Sequence, residues 1–251
     1  MDLGLKGKNV LVTGGSKGVG LAISELFATE GANVSICSRN TKEVDKVVTA
    51  LAAKGGKSWG RALDVADAPS LKQWVRDSAA ELGGIDVVVC NASAIAAGDT
   101  AETWERAFRT DMMHTVNSVA AALPFLENSR SASIVIVASV SGFEVDFLAG
   151  SFGAFKAALI HYSKGLSNQL LAKGIRVNAV SPGYTYSDGG VWQNIERDFP
   201  DFYKSMISLN PTGRMGTAQE VAVGVVFLAS PVASRISGTN LVIDGALTKA
   251  V

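Results

Sequence analysis

Along this chain, short apolar runs rich in β-formers alternate with longer stretches of helical period. Seven runs read as strands: 9–13, 33–37, 58–63, 86–90, 133–138, 176–180 and 240–243. Runs such as Val87-Val88-Val89-Cys90 and Ile134-Val135-Ile136-Val137-Ala138 are apolar throughout, with no polar alternation. That pattern suits strands covered on both faces. Between them, 20–30, 70–82, 104–126 and 152–172 read as helices. The repeated β-α order predicts an α/β fold: a doubly wound parallel sheet of about seven strands with helices on both faces. No linker or low-complexity stretch interrupts the pattern, so one domain over 1–251 is the simplest division. The segment 184–215 is longer than an ordinary connection and holds Trp192, Phe199, Phe202, Tyr203 and Met206. It reads either as a substrate lid or as two extra core-packed helices.

Composition narrows the class. Of 251 residues, 47% are hydrophobic and 18% charged, enough for a sizeable core and too apolar for disorder. Formal net charge is zero, so no basic excess draws in a phosphate backbone and no nucleic-acid partner is expected. Cys37 and Cys90 sit inside apolar runs and read as buried strand residues, not a disulfide. His114 and His161 lack neighbours at metal spacing, so no metal site is expected. The first eight residues carry no apolar targeting core. The longest apolar stretch, 221–229, is far short of the roughly 20 residues a membrane span needs. A cytoplasmic protein without a membrane partner is the expectation.

The first strand runs into Thr13-Gly14-Gly15-Ser16-Lys17-Gly18-Val19-Gly20, and a helix follows. Glycines permit a tight turn and close backbone approach to a ligand. The helix start then aims free N–H groups and a positive dipole end at an anion. This suits a dinucleotide pyrophosphate, with Gly14, Ser16, Lys17, Gly18, Val19 and Gly20 around it. The second strand ends in Ser38-Arg39-Asn40, without the carboxylate that binds the ribose hydroxyls of NAD. Arg39 can fork onto a 2′-phosphate and Lys17 can add a second cation. NADP(H) is therefore the expected cofactor.

Taken together, these features resemble the short-chain dehydrogenase/reductase family, in its 3-oxoacyl-carrier-protein-reductase-like branch. The resemblance runs from Leu5 to about Thr248. It rests on the glycine loop, on Asp64-Val65 after the third strand, and on an altered fourth-strand motif, Cys90-Asn91-Ala92-Ser93. It rests further on Ser139-Val140-Ser141-Gly142, Pro182-Gly183 and a closing Asp244-Gly245. The resemblance implies a Rossmann-type fold. It also implies adenine contacts at Asp64 and Val65, ribose contacts at Asn91, Ala92 and Ser93, and nicotinamide-end contacts at Pro182, Gly183, Thr185 and Ser187. Ordinary loop hydrogen bonding is an open alternative for Thr185 and Ser187, and a plain strand-end turn for 91–93.

In such enzymes a tyrosine moves the proton, a lysine four residues later lowers the tyrosine's pKa and holds the nicotinamide ribose, and a serine polarises the substrate oxygen. Ser139 and Lys156 match the serine and lysine. The tyrosine position is Phe152, which has no donor or acceptor. Three explanations stay open: an engineered Tyr→Phe exchange, a catalytically inactive dinucleotide-binding protein, or another hydroxyl in its place, for which Tyr186 is the first choice and Tyr162 is discounted. Asp111 stands where the family often has a water-holding asparagine. It reads either as a site residue or as a buried partner of Lys156. His114, one turn on, reads as helix packing.

The substrate expected from Tyr184, Tyr186, Trp192 and Met206 is an apolar or aromatic ketone or alcohol. By resemblance the assembly is a homotetramer joined through helices 104–126 and 152–172 and through the C-terminal strand.

Overall fold

In the computed structural model, which describes residues 1–96 and 98–250, seven parallel strands form one sheet in the order β3-β2-β1-β4-β5-β6-β9. In chain order these are β1 (Asn9–Thr13), β2 (Asn33–Ser38), β3 (Ser58–Ala62), β4 (Val87–Cys90), β5 (Ser133–Val137), β6 (Arg176–Pro182) and β9 (Asn240–Ile243). A two-stranded ladder, β7 (Thr185–Tyr186) with β8 (Gly216–Thr217), lies apart from the sheet. The helices are α1 (Gly18–Thr29), α2 (Thr41–Ala52), α3 (Ala68–Leu82), α4 (Ala101–Ala107), α5 (His114–Leu126), α6 (Ser151–Leu170), α7 (Val191–Asp198), α8 (Pro200–Leu209) and α9 (Ala218–Ala229).

The apolar runs are explained by which face each residue meets. In β1, Val10 and Val12 join a core with Ile23 and Phe27 of α1 and Val225 of α9. Leu11 between them joins a second core with Leu71 and Trp74 of α3, Leu126 of α5 and Leu159 of α6. β5 divides likewise: Val135 and Val137 face the first core, Ile134 and Ile136 the second. With both faces covered, no position of a central strand favours a polar residue.

The strand order reverses direction between β1 and β4, each the other's neighbour across the switch. A crevice opens beyond the carboxyl ends of strands at such a point, and ligands of doubly wound sheets bind there.

Two departures from the sequence expectation concern helices. The stretch 104–126 is not one helix: α4 ends at Ala107, a π-helical turn spans Phe108–Met113, and α5 follows. The segment 184–215 forms α7 and α8, but neither is core-packed. Trp192 is the buried residue of α7, and α8 has none. The large apolar residues of this segment left open whether its helices pack in the core, and the structure sets them at the surface.

Candidate active site

Gly14 sits at φ +66° and Gly18 at φ +52°, backbone that glycine adopts without strain. The loop folds so closely on itself that a methyl group on Gly20 would lie 2.1 Å from the Gly14 carbonyl oxygen. Lys17 gives α1 no side-chain cap, in contrast to Asn40 on α2 and Thr217 on α9. The first amides of α1 are thus left to an external anion. Ser16 donates from Oγ to Ser38 Oγ at 2.9 Å, tying the loop to the end of β2.

The Thr13 hydroxyl fastens β1 to β4. It accepts from the Asn91 amide at 2.9 Å and the Ala92 amide at 3.2 Å, and it lies 2.9 Å from Nε2 of His114. Nδ1 of His114 faces the Thr110 carbonyl at 2.7 Å. A carbonyl only accepts, so Nδ1 carries the proton and Nε2 accepts from Thr13. Burial lowers the His114 pKa to about 4, which keeps the ring neutral. His114 is thus a satisfied packing residue, as its sequence position suggests. The Asn91 side chain donates to the carbonyls of Thr13 and Gly14 at 3.0 and 3.3 Å.

At the other end of the crevice, Lys156 is 2% exposed. Its Nζ donates to the Val137 carbonyl at 3.0 Å and lies 3.4 Å from Asp111 Oδ1. The same carboxylate accepts from Ser93 Oγ and, at 3.1 Å, from the Ala94 amide. Asp111 is 1% exposed, sits on the π-helical turn, and belongs to the wall beneath the crevice, not to its lining. The carboxylate offsets part of the cost of burying the ammonium. The Phe152 ring lies under that ammonium, centroid to Nζ 5.3 Å. Ser139 Oγ donates to Ser141 Oγ at 3.2 Å, and Ser141 Oγ donates to Asp146 Oδ2 at 2.7 Å.

One cavity of about 950 Å³ joins the two ends. The glycine loop, Ser38, Arg39, Asn40, Asp64, Val65 and Asn91 to Ser93 line it, and so do Ser139, Phe152, Lys156, Pro182, Gly183, Thr185 and Ser187. Residues separated by more than 170 positions in sequence thus share one surface. A dinucleotide fits the chemistry of this groove, since an uncapped helix start and a cradle that only glycine permits lie at one end.

Two expectations change in detail. Lys17 does not stand free beside Arg39; its ammonium pairs with Glu43 of α2 at 2.8 Å. Arg39 is exposed and has no ion pair among the described residues. Tyr186 is not the tyrosine of the cavity: its hydroxyl donates to Glu196 Oε2 at 2.8 Å, outside the lining. Tyr184, two residues earlier, lines it. Thr185 donates its hydroxyl to the Gly183 carbonyl at 3.0 Å. Ser187 leans on the glycine loop, its Oγ 3.1 Å from where a Gly18 methyl would lie.

The cavity that holds Ser139 is also lined by Phe147, Tyr184 and Trp192, an aromatic wall that sequence reasoning located only in part. Phe147 meets Tyr184, Trp192 and Phe202 edge-on at 5.8, 5.4 and 5.6 Å between centroids. Phe147 lies 37 residues before Tyr184, and no periodic signal links them. Cys37 and Cys90 are buried free thiols, and burial pushes each up to about 12. No helix among the described residues is long and apolar enough to cross a membrane.

Comparison with known proteins gives concordant results. A family model described as enoyl-(acyl carrier protein) reductase matches residues 14–248. Isoepoxydon dehydrogenase patN of Penicillium expansum is 42% identical over 251 residues, covering 98% of this chain and 97% of its own. L-sorbose reductase from Gluconobacter frateurii, solved with NADPH and L-sorbose, superposes with a TM-score of 0.93 at 27% identity over the full length of both chains. A 7 alpha-hydroxysteroid dehydrogenase, solved with NADH and 7-oxo glycochenodeoxycholic acid, superposes with a TM-score of 0.91 at 26% identity, over 98% of this chain and 96% of that one. Bound nicotinamide cofactors of both kinds occur among these structures.

Proposed function

The chain belongs to the short-chain dehydrogenase/reductase family of oxidoreductases, and we propose that it interconverts a secondary alcohol and a ketone by hydride transfer with NADP(H). The observation that carries this reading is the single cavity running from the glycine loop to Ser139 and Lys156. In this reading Gly14 to Gly20 and the start of α1 hold the pyrophosphate, Arg39 the 2′-phosphate, Asp64 and Val65 the adenine, and Asn91, Ala92 and Ser93 the ribose on the nicotinamide side. Arg39, the cation left without a carboxylate, supports the 2′-phosphate; Lys17 bears on it less directly, since Glu43 already neutralises it.

The cofactor supplies the hydride acceptor or donor when bound. The chain does the rest. Lys156, fixed by Val137 and Asp111, holds the ribose hydroxyls with its remaining donor capacity. Ser139 offers a hydroxyl to the substrate oxygen. Phe152 fills the space of the expected tyrosine, shields the ammonium on one side and moves no proton. The aromatic wall of Phe147, Tyr184 and Trp192 favours an apolar or aromatic substrate. A second reading, a dinucleotide-binding protein without catalysis, draws support from the same Phe152 and from a lysine already neutralised by Asp111.

Substituting Phe152→Tyr tests the site assignment. NADPH-dependent ketone reduction should rise by about 10²–10⁴, the usual contribution of general acid catalysis. An unchanged null rate in both forms would favour the second reading. The protein is taken as a cytoplasmic homotetramer with 184–215 as a lid. Exposed Trp104 and Phe108, set edge-on and tilted against Phe155 of α6, support association through these helices. The unpaired thiols suit a reducing compartment.

A further inference from the structure

Removing a tyrosine hydroxyl leaves the reacting oxygen without its proton partner, so the geometry around Ser139 acquires a second meaning. The hydrogen bonds there run in one direction. Ser139 Oγ donates to Ser141 Oγ at 3.2 Å, and Ser141 Oγ donates to Asp146 Oδ2 at 2.7 Å. The Ser141 amide donates to Ser139 Oγ at 3.2 Å, so that oxygen already serves as an acceptor. The other carboxylate oxygen of Asp146 is held by the Leu148 amide at 2.8 Å, which fixes the carboxylate's orientation. All three side chains line the main cavity. Asp146 also borders a neighbouring cavity of about 280 Å³ and is half-buried, so its proton can exchange without crossing the substrate pocket. A chain of hydroxyls ending on a carboxylate is a route for taking a proton away from substrate.

We propose that Ser139, Ser141 and Asp146 form the proton relay of this enzyme, and that the relay favours alcohol oxidation; the proposal rests on the oxidoreductase reading above. The carbinol C–H bond breaks and its electron pair leaves with the hydrogen for the oxidised nicotinamide, NADP⁺. The alcohol proton passes to Ser139 Oγ, the proton of Ser139 passes to Ser141 Oγ, and the proton of Ser141 passes to the Asp146 carboxylate. The products are ketone, NADPH and a protonated Asp146, which returns its proton to solvent. Ser139 touches the substrate and is the catalytic residue; Ser141 and Asp146 act through it. The charged and titratable groups that face Asp146 are Glu144 on its own segment, Asp99 across the smaller cavity, Tyr184 from the loop after β6, and Arg106 and Lys156 across the main one. Tyr184 is the rival proton carrier, since it lines the same cavity; its phenol is pushed up by burial and by the charges of Asp146 and Glu144, which keeps it protonated and unable to accept the alcohol proton.

The test is steady-state oxidation of a panel of aromatic secondary alcohols with NADP⁺ across pH, beside calorimetric NADP⁺ binding. It uses the full chain, Asp146→Asn, Ser141→Ala and Tyr184→Phe, each also in the Phe152→Tyr background. Asn at 146 keeps an oxygen for the Leu148 amide and loses the terminal base, so folding and NADP⁺ affinity should hold. We expect kcat to fall about 10²-fold in Asp146→Asn and Ser141→Ala. In the unsubstituted chain kcat should decline as pH is lowered; that limb should vanish in Asp146→Asn. In the Phe152→Tyr background the same substitutions should cost at least about tenfold less, because a phenol bypasses the relay. Equal losses in both backgrounds, an unmoved pH profile, loss on Tyr184→Phe alone, or no oxidation by an NADP⁺-bound chain would each overturn the relay. Failure to bind NADP⁺ at all would instead overturn the oxidoreductase reading beneath it.

Discussion

Burial holds the His114 imidazole neutral, and that has a cost that appears with acid. Its folded pKa of about 4 lies below the ordinary 6.5. Between those values the unfolded chain binds more protons, so stability falls as pH drops through that window. By pH 4.5 the loss from this group alone is roughly 2–3 kcal/mol. Urea unfolding at pH 7 and pH 4.5 should show it, and His114→Gln should flatten the dependence by about that amount. An unaltered slope would mean that the Thr13–His114 contact does not persist in solution. At this scale the sequence revealed what spacing controls. Phe152 and Lys156 are four apart on one helix face and share the site because of it. It did not reveal the Lys17–Glu43 pair, which depends on how α2 is set against the glycine loop. Nor did it reveal that Tyr184, and not Tyr186, lines the cavity.

At the scale of elements, α9 ends against a buried arginine. Arg176, at the start of β6, donates to the carbonyls of Leu228, Ala229 and Ser230 at 2.7, 3.0 and 2.9 Å. Those are the orphan acceptors of a helix C-terminus, and the guanidinium also meets the negative end of the dipole. Arg176→Met should therefore cost about 3 kcal/mol and lower the melting temperature by roughly 6–12 °C, without changing cofactor affinity. The π-helical turn at Phe108–Met113 is the element the apolar pattern missed. A widened turn keeps nearly the same periodicity as a regular helix, yet it sets Asp111 and His114 inward, toward Lys156 and Thr13. Helix α2, capped by Asn40, also went unnamed, because its polar face of lysines and acids dilutes a narrow stripe of Val44, Val47 and Leu51.

For the molecule as a whole, the sheet was legible because strands covered on both faces write continuous apolar runs, and the β-α order then leaves few topologies. The strand order puts the ends of β1 and β4 side by side, and the cavity follows from that adjacency. The aromatic wall was less legible, since Phe147, Trp192 and Phe202 come from segments that meet only after the sheet is built. The central claim is that this cavity receives a phosphorylated dinucleotide between the glycine loop and Lys156. Calorimetric titration of the folded chain with NADPH and with NADH, at one salt concentration, tests it most directly. NADPH should bind at least about tenfold tighter, a difference of about 1.4 kcal/mol, and Arg39→Ala should erase that margin. Equal or tighter binding of NADH, or no heat of binding from either cofactor, would contradict it.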